Sequence, residues 1–181
     1  MSTAAKNLED DHVHILKLTE IMEHIAQNGK RNVEHIARIV DLIREFADGL
    51  HHAKEENLYF PFLANKGFSR EQGPVAVMLH EHVQGREFVK GISDNLVLFS
   101  RGKEDAINDV YYNMNGYAQL LRNHIAKENN ILFRMADRVL SETDNKVLLQ
   151  NFSESEKAHF TKNGNRNYAS EINELADFYG I

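Results

Sequence analysis

Apolar residues recur at spacings of three and four along almost the whole chain, the period of amphipathic α-helices. The pattern predicts a first helix from about Leu8 to Asn28, with Gly29 suited to the stop. Asn32 is placed to cap a second helix that continues to about Leu63. The break "NKGFSREQGP" follows, and Gly73-Pro74 opens a third helix to about Phe99, since a first-turn proline lacks only an N–H that has no intrahelical partner. After "SRGKED" a fourth helix is predicted from about Asp105 to Leu140. Four long helices with short connections predict an all-α, up-down-up-down antiparallel four-helix bundle. From Thr143 to Ile181 the pattern predicts one or two shorter helices, broken near "KNGN". Their Phe152, Phe160, Tyr168, Ile172, Leu175 and Phe178 are expected to cover an open side of the bundle. No long linker or low-complexity segment divides the chain, so residues 1–181 are expected to form a single domain, with the bundle over about 8–140 and a C-terminal helical extension over about 143–181.

Composition narrows the chemistry. A chain of 181 residues can enclose a sizeable core. Its net charge of −6 provides no basic footprint, so neither nucleic acid nor an anionic membrane is an expected partner. The absence of cysteine excludes disulfides, zinc–thiolate sites, cysteine-ligated iron–sulfur clusters and cysteine catalysis. "MSTAAKNLEDD" shows no secretory signal pattern, and no apolar run approaches the roughly 20 residues of a membrane span. A cytoplasmic protein is therefore expected. The 10 histidines are many for this length.

One motif occurs twice. "HHAKEENLYF" begins at His51 and "HIAKENNILF" at His124, and six of their ten positions are identical. His51 and Glu55, like His124 and Glu128, stand four residues apart and project from one helix face. Both pairs lie on stripes that are otherwise apolar: Val40, Ile43, Ala47, Leu58 and Phe62 in the second helix, Tyr117, Leu120, Leu121, Ile131, Leu132 and Met135 in the fourth. A single such pair is more often an ordinary ion pair at a wet surface. Two matching copies on two apolar stripes instead require something to compensate carboxylates whose unpaired burial costs several kcal/mol.

Other histidines reach the same height along the bundle. In "MLHEHVQGREFV" His82 shares a face with Val75, Met78, Leu79 and Val89, whereas His80 lies toward the polar side. In "EDDHVHILKLTEIME" both His12 and His14 flank the apolar stripe, and periodicity alone does not choose between them. Counting residues from each turn at about 1.5 Å per residue puts His12, His51, His82 and His124 on one level within a few residues. His24 and His35 fall about 18 and 24 Å away along their helices; they are expected near the first turn, where they could face each other. His159 lies in the tail.

Four imidazoles and two carboxylates exceed one structural zinc site, and mixed nitrogen and oxygen donors suit iron or manganese. Two six-coordinate ions require about twelve contacts, of which the side chains supply about eight and an oxo or hydroxo bridge about two. About two positions then remain for dioxygen, peroxide or nitric oxide as a small ligand.

At these residues the sequence resembles the hemerythrin-like HHE cation-binding domains. The resemblance rests on "HHAKEENLYF", the second HxxxE at His124, "MLHEHVQGR" and the acidic residues before His12, and it covers about Leu8 to Leu140. It implies a non-haem di-iron centre within the bundle, with His12, His51, Glu55, His82, His124 and Glu128 as ligands. The match at "DDHVHIL" selects His12 over His14, and that at "HHAKEE" selects His51 with Glu55 over His52 with Glu56, which are expected to face the surroundings of the site or solvent. Oxygen-carrying hemerythrins are less similar. They carry a histidine four before the third-helix ligand, where this chain has Met78, and an aspartate five after the last histidine, where it has Asn129. The pattern is closer to relatives linked to iron handling, nitrosative stress and sensing, although the cysteine-bearing N-terminal segment common in iron-centre repair members is not seen. The expected function is a di-iron protein that binds or senses dioxygen or nitric oxide or handles iron; the alternative is a di-iron enzyme acting on peroxide, dioxygen or nitric oxide. Tyr59 and Tyr117 are expected to be core residues.

Overall fold

A computed structural model describes residues 3–181, and among them every regular element is helical. Helix α1 is Ala4–Gln27. It opens one turn earlier than the apolar pattern predicts because the Thr3 side chain accepts a hydrogen bond from the Lys6 amide at 3.1 Å. Helix α2 spans residues 33–64 without interruption and is capped, as expected, by Asn32, whose side chain accepts from the His35 amide at 3.0 Å. Helix α3 is Gly73–Ser100, with Pro74 in its first turn. Helix α4 spans residues 106–137, ending three residues before the predicted stop. The C-terminal segment forms two helices, α5 (Glu142–Asn163) and α6 (Tyr168–Tyr179). Ser141 and Asp144 make a reciprocal capping box at the start of α5, and Gly164 ends it at φ 82°, a backbone geometry that favours glycine.

The two copies of the repeated motif share a backbone feature that the α-helical period does not anticipate. Residues Ile43–His52 and Glu55–Tyr59 of α2, and Glu128–Leu132 of α4, are π-helical. The Phe60 amide donates to the Glu55 carbonyl five residues back, and the Phe133 amide donates to that of Glu128 in the same way. A wider turn places one more residue before the chain returns to the same face. The expected core positions shift accordingly. Leu58 and Phe62 are only half-buried, and Ile131 and Met135 are 51 % and 40 % exposed. The neighbouring Tyr59, Leu63 and Ala136 take buried places instead, beside Leu132, which the pattern also puts on the apolar stripe and which is buried. Each shift is one residue, in the same direction, in both copies.

Two apolar clusters fill the interior. One contains Ile15, Leu50, Val89, Leu121 and the residues beyond them; the other contains Leu8, Tyr59, Phe60, Met78, Leu132 and Phe133. A layer of histidines and glutamates from α1–α4 lies between them. The Phe88 ring of α3 packs directly on Gly116 of α4, where an added Cβ would stand 2.4 Å from it.

The C-terminal helices cover the bundle, as the sequence leads one to expect. Phe152 of α5 belongs to the second cluster, and Tyr168, Ile172 and Leu175 of α6 belong to the first, while Phe178 is exposed. Tyr179 stands at the first turn, with its hydroxyl 2.9 Å from His35 Nδ1 and its ring 5.6 Å from that of His24. Truncating Phe152 to alanine is expected to lower stability by about 3–5 kcal/mol, measured by denaturant unfolding. A loss below 1 kcal/mol would show that α5 is not docked through this ring.

Candidate metal centre

The structure brings the six predicted residues together between the two apolar clusters. His12 comes from α1, His51 and Glu55 from α2, His82 from α3, and His124 and Glu128 from α4; none is more than 2 % exposed. His14 lies half-buried with its ring 6.4 Å from that of Phe46, and His80 is exposed. His159 is far along α5, 2.8 Å from the Tyr168 hydroxyl.

The donors form two overlapping quartets. His12, His51, Glu55 and Glu128 each bring one donor atom within 4.8 Å of the others, as do His52, Glu55, His82 and His124. His12 Nε2 and His51 Nε2 are 3.0 Å apart, and His82 Nε2 and His124 Nε2 are 3.2 Å apart. Glu128 reaches both halves, with one oxygen 3.2 Å from His12 Nε2 and the other 3.3 Å from His124 Nε2. Glu55 does the same, 3.7 Å from His51 Nε2 and 3.4 Å from His82 Nε2.

Each imidazole is oriented from behind. Nδ1 of His12 meets Asn129 Oδ1 at 2.8 Å, that of His51 meets Asp11 Oδ2 at 3.1 Å, that of His82 meets Glu56 Oε1 at 2.8 Å, and that of His124 meets Glu81 Oε2 at 3.0 Å. These oxygens can only accept, so Nδ1 carries a proton and it is Nε2 of each ring that points into the centre, where its lone pair can be offered to a cation. Both oxygens of Glu55 and both of Glu128 are buried without a hydrogen-bond partner. Lone pairs facing lone pairs and orphaned carboxylate oxygens would repel one another unless cations stood between them. The donor set thus fits metal ions.

The electrostatics agree. Burial works against the His124 imidazolium, but the adjacent Glu128 charge and the hydrogen bond to Glu81 outweigh it and push His124 up to about 10. Burial likewise opposes the Glu128 carboxylate, yet His124 and His12 hold it well below the usual range. Carboxylates that hold positive charge this strongly are suited to a cation.

The apolar pattern did not expose the residues behind the imidazoles. Asp11, Glu56, Glu81 and Asn129 are only partly buried, so nothing in the hydrophobic period marks them; adjacency to the motifs is the one available signal. Asn129 orients His12, while Met78 packs in the second apolar cluster and offers no strong donor. Of the two places the sequence left open for His52, the surroundings of the site or solvent, the structure shows the first. His52 is buried beside the second quartet, with Nδ1 3.3 Å from Asp48 Oδ1 and Nε2 without a partner, and burial pushes its imidazole well below the usual range. Tyr59 and Tyr117 are core residues, and burial raises both phenols.

Lys54, also in the motif, is fully buried. Its Nζ lies 2.8 Å from Asp11, 2.8 Å from Glu156 of α5 and 2.9 Å from Asn7, which ties the C-terminal segment to the carboxylate behind His51. Lys54→Met should cost about 1–3 kcal/mol, the price of leaving its hydrogen-bonded partners unpaired, in an unfolding titration. An unchanged midpoint would contradict this role.

A helical bundle with buried, interlocking histidine–carboxylate quartets defines a metal-binding bundle protein. The sequence matches the hemerythrin HHE cation-binding domain over residues 3–136, and the chain belongs to that family. It is also similar to iron-sulfur cluster repair proteins YtfE. It is 38 % identical to the one from Musicola paradisiaca over 131 residues, 68 % of this chain and 56 % of the relative. The match to the one from Edwardsiella ictaluri is 30 % over 104 residues, covering 56 % and 46 %, and that to the one from Escherichia coli O157:H7 is 32 % over 88 residues, covering 48 % and 40 %. The chain therefore spans about half the length of these curated relatives. No solved structure matches significantly. Family membership and the buried donors together indicate a di-iron centre. No helix among the described residues is long and apolar enough to cross a membrane.

Proposed function

We propose that His12 and His51 hold one iron, that His82 and His124 hold the other, and that Glu55 and Glu128 reach both. The observation carrying this assignment is the set of four orphaned carboxylate oxygens facing four imidazole Nε2 atoms in a buried layer. The centre supplies reversible ligand binding and one-electron redox chemistry when loaded. The protein's own contribution is to fix the imidazoles through Asp11, Glu56, Glu81 and Asn129 and to exclude water with the two apolar clusters.

On this basis the protein is a di-iron binder that takes up or senses dioxygen or nitric oxide or handles iron. Relatives named for iron–sulfur cluster repair favour iron handling within that range. The proposal includes the up-down-up-down order of the four long helices, favoured by their short connections, and one domain over residues 1–181. It also includes cytoplasmic placement and the absence of nucleic-acid and membrane partners, in keeping with the net charge of −6. Metal analysis with an absorption spectrum tests the assignment: about two irons per chain and a ferric charge-transfer band are expected, and a folded protein purified from iron-replete cells without metal would contradict it. Steady-state turnover of peroxide or nitric oxide would move the protein from binder to enzyme.

A further inference from the structure

We propose that the small exogenous ligand of this centre binds on its His82–His124 side, where His52 Nε2 accepts a hydrogen bond from a ligand bearing an O–H group, such as water or hydroperoxide. The inference rests on the di-iron assignment above and names the side of the centre that opens and the chemical class it favours.

A cavity of about 130 Å³ reaches this side of the centre, lined among others by Asp48, His52, His82, Gly85, Arg86 and Tyr117. It is large enough for a few small molecules of water size. His52 is 4 % exposed, and its Nε2 is buried without a hydrogen-bond partner. Its other nitrogen is committed: Nδ1 meets Asp48 Oδ1 at 3.3 Å, and Arg86 Nε in turn donates to Asp48 at 2.9 Å. Arg86 also donates to Glu56 Oε1 at 2.7 Å, the oxygen that orients His82. One arginine therefore sets the positions of both rings. With the proton on Nδ1, the Nε2 of His52 presents a lone pair and accepts.

His52 is not placed as a seventh metal ligand. Its ring stacks on that of His82 at 3.9 Å with an interplanar angle of 18°. An imidazole binds a metal in its own plane, and two nearly parallel rings cannot both contain the same nearby ion. His52 nevertheless brings a ring nitrogen within 4.8 Å of donor atoms of Glu55, His82 and His124, the right range for meeting something bound to the ion. The repeat sharpens the assignment. The position of His52 in the first copy is occupied by Ile125 in the second, and Ile125 packs in the first apolar cluster. A polar atom has been placed on one side of an otherwise duplicated device.

The test compares the oxidised, iron-loaded protein with H52L, a substitution that keeps an apolar-compatible volume and leaves Asp48 paired to Arg86. Iron per chain is measured first, then equilibrium affinity for azide, which has no proton to donate, and rapid-mixing affinity for hydrogen peroxide. The expected result is two irons in both proteins, azide affinity within about twofold, and hydrogen peroxide weakened about tenfold, the size of one hydrogen bond. H52Q, whose amide oxygen can accept, should recover part of the loss. Iron falling below two in H52L would make His52 a metal ligand and overturn the proposal, and so would equal changes for the two ligands or none. Those failures leave the di-iron assignment standing, whereas a wild-type protein that takes up no iron ends both.

Discussion

Glu128→Ala is expected to leave at most one iron per chain where the unaltered protein holds two. Glu128 faces both halves of the centre, at 3.2 Å from His12 Nε2 and 3.3 Å from His124 Nε2, so a single substitution removes a donor from each site at once. The loss should be visible as iron per chain after desalting, and Glu128→Gln, which keeps the volume but not the charge, should fall between. The fold should persist, because neither Glu128 oxygen makes a hydrogen bond that the polypeptide would lose. Far-UV circular dichroism of the same sample checks this. Two irons retained in a folded Glu128→Ala protein would mean that the metals lie elsewhere.

Removing the iron is expected to lower the melting temperature by about 15 °C or more. A ligand held at a thousand times its dissociation constant stabilises the native state by about 4 kcal/mol. Two such sites contribute about 8 kcal/mol together. For a chain of this size each kcal/mol corresponds to about 2–4 °C. The physical reason lies in the layer between the apolar clusters. Without cations it buries converging imidazoles and orphaned carboxylates that gain little by being there. Calorimetry before and after exhaustive chelation measures the shift, and readdition of ferrous iron should restore it. A melting temperature that does not move when metal analysis shows the iron gone would contradict a structural role for the centre.

The helices could be read from the sequence because their amphipathic period is long and their caps are explicit: Asn32, Gly73-Pro74 and the breaks at "SRGKED" and "KNGN" fall where the structure changes direction or stops. The doubled HxxxE motif and the level of His82 marked the site, since polar residues on apolar stripes demand an explanation. What the period could not reveal is the change of helix type. The π-helical turns at Glu55–Tyr59 and Glu128–Leu132 displace the buried face by one residue, which is why Tyr59, Leu63 and Ala136 are inside and Ile131 and Met135 are not. A wider turn carries no compositional mark; it follows from hydrogen bonding across five residues. The motif left His52 either around the site or in solvent, and only the tertiary structure shows it buried beside the second quartet. The orienting oxygens of Asp11, Glu56, Glu81 and Asn129 come from partly exposed positions, where many residue types are compatible with the pattern. Their role is set by which imidazole each meets, a tertiary relation.

Crystals of the aerobically purified protein, measured across the iron absorption edge, test the central assignment most directly. The account predicts two anomalous peaks per chain, one beside His12 and His51 and the other beside His82 and His124, with Glu55 and Glu128 reaching both. A single peak, or peaks away from these side chains, would contradict it.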